Sequence, residues 1–138
     1  MLGEFFLCRS DGLDRELIGS GPTGRRPCVA AKGLTPVNIA ALGELLGAGT
    51  YDEIFAQSGA EHYEAESGES GVWDVPAGVC RALVASESLE QVAGQWVATE
   101  ELQLDGWRAG DGVNVLSRLA ELLGAQEDGQ QLWYWWSL

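Results

Sequence analysis

The sequence predicts an α+β domain: a small sheet containing the N- and C-terminal strands, packed by about four to five helices. Three observations predict it. The chain closes on Leu132-Trp133-Tyr134-Trp135-Trp136-Ser137-Leu138, an aromatic run suited to a pleated surface. It opens on a second strand-like run, Gly3 to Arg9, with Phe5, Phe6 and Leu7 at its centre. Between them lie segments whose apolar residues recur at helical spacing and whose ends carry capping residues. Strands at both ends with helices between favour α+β architecture, with the terminal strands as neighbours.

Side chains alternate along a strand, so Trp133 and Trp135 face one way while Leu132, Tyr134 and Trp136 face the other. Both faces are apolar, which predicts an inner strand covered on both sides. After the first strand, Leu13, Leu17 and Ile18 allow one short helix, ended by Gly19-Ser20-Gly21-Pro22. Pro27 to Ala31 reads as a short strand or an extended connection. Thr35-Pro36 is an N-cap followed by proline at the first helical position, and Ile39, Leu42, Leu45 and Leu46 form the apolar face up to Gly47 or Gly49. Thr50 to Glu53 is a capping box that opens a helix with Ile54 and Phe55 on its buried side. Gly59 to Gly71, low in apolar residues, reads as an exposed acidic loop with a turn at Ser67–Gly71. Val72 to Val75 is a brief strand, and Pro76 starts a helix through Leu83 and Val84. Ser88 to Gln91 repeats the capping-box pattern ahead of Leu89, Val92, Ala93, Trp96 and Val97, the best amphipathic match in the chain. A last helix carries Val113, Leu116, Leu119, Ala120 and Leu123, with Gly110 and Gly112 before it and Gly124 or Gly129 after it as limits.

Composition narrows the function classes. A chain of 138 residues with no repeat and no linker reads as one domain over 1–138. Glycine, at 19 residues, is about twice its usual ~7% share, which indicates many tight turns. Eight basic residues face 21 acidic ones, for a formal charge of −13. That charge repels phosphate backbones and anionic membrane surfaces, so neither nucleic acid nor membrane is expected as a partner. The charge can steer a basic protein toward the chain or serve only solubility, which is the leading reading of the charge by itself. Cys8, Cys28 and Cys80 are odd in number and widely spaced, without metal-ligand spacing, and read as core thiols in a reducing, cytoplasmic setting. No signal-peptide pattern and no apolar run of ~18 residues is present.

Four features invite a chemical reading. His62, the single histidine, sits among carboxylates in Glu61-His62-Tyr63-Glu64-Ala65-Glu66. A neighbouring carboxylate favours its charged form, yet loop residues at this spacing carry no metal signature and fix no catalytic geometry. Gly68-Glu69-Ser70-Gly71 is one residue short of a serine-hydrolase elbow. The glycines from Gly19 to Gly24 followed by Arg25 and Arg26 form an anion-binding candidate, although the phosphate-loop lysine is missing. Of the six tryptophans, Trp133, Trp135 and Trp136 cannot all fill one small core face; burial in the core is the leading reading, with one or more at a protein interface or pocket rim as the alternatives. Trp107, just after a turn, is expected to be partly exposed.

These features favour a non-enzymatic protein-interaction module of regulatory, inhibitor or immunity type. Its expected contacts are Glu61, Glu64, Glu66 and Glu69, with Trp107 as aromatic anchor, a basic protein as partner and no cofactor, metal or catalytic residue assigned. Two alternatives stand beside it. One is a small-molecule binder or small enzyme using His62 with nearby carboxylates, Arg25 and Arg26 holding an anion. The other is a self-associating structural subunit whose aromatic surface makes a homo-oligomer.

Overall fold

A computed structural model describes the whole chain, Met1–Leu138. Five strands form one antiparallel sheet: β1 (Leu2–Cys8), β2 (Cys28–Ala30), β3 (His62–Glu64), β4 (Ser70–Asp74) and β5 (Gln131–Ser137). Their order is β2-β1-β5-β4-β3, so the C-terminal strand is central and pairs directly with the N-terminal one. Phe5 lies opposite Tyr134, and their rings meet edge to face at 4.9 Å.

Alternation along β1 and β5 divides the apolar residues into two layers. Phe5, Leu7, Leu132 and Tyr134 face the larger core, which contains 24 buried residues. Phe6, Cys8, Trp133 and Trp135 face a thinner one, with Leu17 and Val72. Both faces of β5 are covered, as its sequence requires.

The larger layer is built by α2 (Pro36–Leu45), α3 (Tyr51–Gln57), α4 (Ala77–Ala85), α5 (Leu89–Val97), α6 (Glu100–Leu104) and α7 (Ala109–Gly124). The thinner one is closed by α1 (Arg15–Ser20), whose first turn is held by the Asp14 carboxylate accepting from Leu17 N–H at 2.7 Å. The helices number seven against the about four to five expected to pack the sheet, and six of them lie where the residue-by-residue reading places a helix. The helix not foreseen is α6, one short turn that buries only Leu102.

Local signals place most helix starts. Thr35 N–H donates to the Asn38 carboxamide at 2.8 Å, and Pro36 follows as the first residue of α2. Thr50 and Glu53 close the capping box of α3. At Ser88 the expected box does not form; the residue makes no side-chain capping bond, and α5 is held by packing. Trp96 carries that packing: wholly buried, it donates its indole N–H to Asn38 C=O at 2.9 Å and ties α5 to α2.

Three further expectations need correction. Phe55 is 46% exposed, stacked on Tyr51, and only Ile54 of that pair is buried. Gly110 and Gly112 lie inside α7 and do not precede it. A Cβ at Gly112 would stand 2.5 Å from Val97 Cγ2, so this glycine is what lets the first turn of α7 seat against α5. Finally, 59–71 is not a loop throughout. Its residues are largely exposed, as expected, but His62–Glu64 pairs with β4 and forms the outer strand of a hairpin.

All three cysteines are free thiols, Cys8 and Cys80 buried and Cys28 half-buried. Burial pushes each thiol up, Cys80 to about 12, and the Glu4 carboxylate that accepts from Cys28 Sγ at 2.9 Å raises that group further. Alkylation of the native protein at about pH 8 is therefore expected to modify Cys28 first and slowly, with Cys8 and Cys80 reacting only after unfolding. Mass spectrometry of the labelled peptides checks this, and early labelling of Cys80 would contradict the packing of α4.

Candidate functional site

The hairpin β3–β4 gathers the acidic residues singled out in the sequence. Glu64 lies in β3, Glu66 and Glu69 flank the turn, and all three are exposed. Glu61 precedes β3, half-buried, its backbone N–H donating to an Asp74 carboxylate oxygen at 3.1 Å. The turn closes through Gly68, whose φ of +71° suits glycine, and through Ala65 N–H donating to Ser70 C=O at 3.0 Å. Glu69 C=O accepts from Leu138 N–H, so the hairpin also meets the end of β5.

Nothing neutralises these carboxylates. From Gly33 to Cys80 the chain carries eight Asp and Glu residues and no Lys or Arg. The two ion pairs of the structure, Arg9–Asp11 and Arg25–Asp14, both lie elsewhere. Because β3 is the outermost strand, this charge lines a free edge of the sheet.

Beside that edge is a notch of about 270 Å³, bordered by Pro36, His62, Glu64, Trp73 and Trp136. Register explains it. Glu64, Gly71 and Trp136 form one cross-strand row, and His62, Trp73 and Tyr134 the next. Gly71 has no side chain to fill the row, and the Trp136 indole lies over it; a Cβ there would meet Trp136 Cζ2 at 2.8 Å. Trp133 and Trp135 are buried and donate their indole N–H groups to Cys8 and Ile18 carbonyls. Trp136 is half-buried and is the member of the trio at a pocket rim.

His62 is exposed, with Nδ1 3.1 Å from Gly59 C=O. Its side chain shares a face with Glu64, as residues two apart on a strand must. No three His, Cys, Asp or Glu side chains converge as metal ligands.

The other predicted residues are placed apart. Trp107 is half-buried against Trp96 at 5.4 Å and borders a separate cleft with Ala31, Lys32, Asp105 and Asp111, on the β2 side of the sheet. Four strand spacings separate β2 from β3, about 19 Å. Trp107 and the acidic hairpin therefore do not form one surface. Arg25 is engaged by Asp14 through two bonds of 3.0 and 3.2 Å, which hold that carboxyl down to about 2. The backbone N–H groups of Arg25 and Arg26 both donate to Pro22 C=O, so these two donors are not free for an anion.

A larger cleft of about 530 Å³ lies between α4 and the end of α7. Its glutamines serve the local turn: Gln126 donates to Gln130 C=O and Gln130 accepts from Glu127 N–H. Gln131 borders it and has a buried side-chain oxygen without a partner, but strand alternation directs that side chain with Cys8 and Trp133 to the opposite face.

No family model matches the chain, and comparison with curated proteins and with solved structures finds no match either. No helix is long and apolar enough to cross a membrane.

Proposed function

We propose that this chain is a non-enzymatic interaction module, of regulatory or inhibitory character and cytoplasmic, that docks a basic protein through its β3–β4 hairpin. The observation that carries the reading is the set of unpaired carboxylates on a free sheet edge, within a stretch devoid of Lys and Arg. Uncompensated charge of one sign attracts a partner of the other sign over a Debye length and accelerates encounter more than it tightens the final complex. Trp107 belongs to a different surface and is not part of this interface.

Replacing Glu61, Glu64, Glu66 and Glu69 together with glutamine tests the reading. These are surface positions, so folding stability should change by less than about 0.5 kcal/mol per site. Affinity capture at low and high salt, followed by association kinetics with the retained basic protein, is the measurement. The parent chain should hold a basic protein at low salt and release it at high salt. The fourfold variant should associate about tenfold more slowly, with a flattened salt dependence. Retention unchanged by the four substitutions would refute the hairpin as the docking face.

A further inference from the structure

We propose that β3 accepts an extended, lysine- or arginine-bearing strand of the partner, with one cationic side chain seated in the notch between Glu64, Trp73 and Trp136. This rests on the interaction reading above and specifies its mode. Antiparallel pairing turns alternate residues toward the neighbouring strand. Asp74 N–H donates to Glu61 C=O at 3.1 Å and Ala65 N–H to Ser70 C=O at 3.0 Å, so 61, 63 and 65 face β4. His62 and Glu64 consequently present their N–H and C=O groups outward, where an added strand would find them.

The side chains of the same two residues stand on the notch side of the sheet. A strand laid outside β3 would set every second side chain beside them. An apolar stem with a charged head fits what it meets there: an indole surface at Trp136 for the stem, and the Glu64 carboxylate and ring faces for the cation. The charge also selects among occupants. A second copy of this chain would bring its own glutamates against these, and like charges across an edge disfavour pairing. A basic strand meets no such opposition.

The test uses the full chain and two eight-residue peptides of equal charge. Both alternate lysine with threonine; in one, backbone N-methylation of the lysines removes the N–H groups that an antiparallel strand would point at β3, because the residues opposite His62 and Glu64 share their face. Amide exchange and indole N–H resonances are followed by NMR. The unmethylated peptide should protect the outward amides of His62 and Glu64, shift the Trp136 indole signal, and bind about tenfold more tightly than the methylated one. Glu64→Gln should weaken it about fivefold. Equal binding of both peptides with β3 amides unprotected would overturn strand addition and leave the acidic surface as a basic-partner site. Binding of neither would overturn both readings.

Discussion

Trp133→Ala is expected to remove about 3–5 kcal/mol of stability, a fall of roughly 10–20 °C in thermal midpoint for a chain of this size. The side chain is wholly buried in the thinner layer, among Phe6, Cys8, Leu17, Val72 and Trp135. That layer has six buried residues and is closed by a helix of six residues, so little can move inward to fill the void. Truncation also takes away the indole N–H that Cys8 C=O accepts at 3.0 Å. Trp136→Ala, at a half-buried position on the notch, should cost clearly less. Chemical denaturation of the two variants decides the matter: a loss below about 1 kcal/mol at Trp133 would show that the thinner layer is not a packed core.

The contrast between these two tryptophans also marks what the sequence makes legible. Strict alternation over Leu132–Trp136 exposes the two-faced, central character of β5, because only a strand covered on both sides tolerates apolar residues at every position. It further implies that the trio cannot all be buried on one face. It does not say which one reaches the surface. That depends on Gly71, about 65 residues earlier in the chain but directly opposite Trp136 in the sheet, whose missing side chain leaves room for the Trp136 indole to lie over it.

Strand β3 is the clearest case of an element hidden from local reading. His62-Tyr63-Glu64 has neither β-branched residues nor an apolar alternation, and its extended form comes from pairing with β4. The Ser67–Gly71 turn was readable from its glycines, whereas the hairpin around it was not. The acidic residues were therefore visible as a cluster but not as the border of a sheet edge. Likewise Arg25 and Arg26 looked available for an anion, since nothing in the chain order signals that Asp14, 11 residues earlier, grips Arg25.

Gly3→Ala is expected to cost about 2–4 kcal/mol, through space alone. Gly3 has no positive φ, so an alanine backbone would be unstrained there. Its Cβ, however, would fall 1.7 Å from the Tyr134 hydroxyl and 2.8 Å from Ala31 C=O. The hydroxyl cannot yield without loss: it donates to Ala31 C=O at 2.6 Å and accepts from Leu34 N–H at 3.0 Å. Tyr134→Phe isolates the second part of the effect and should cost about 1–3 kcal/mol by leaving both backbone groups unpaired. Gly3→Ala must exceed it, and a smaller loss would disprove the close approach. Burial pushes the Tyr134 phenol up from 10 to about 12. Because the folded value lies above the unfolded one, its contribution is complete below pH 10 and is lost as pH rises toward 12, a decline Tyr134→Phe should lack. The same hydroxyl joins the central strand to Leu34, two residues before Pro36 at the wall of the notch. Displacing it should therefore disturb the Trp136 indole resonance and weaken basic-peptide binding as well as the fold, linking the packing of the terminal strands to the proposed docking edge.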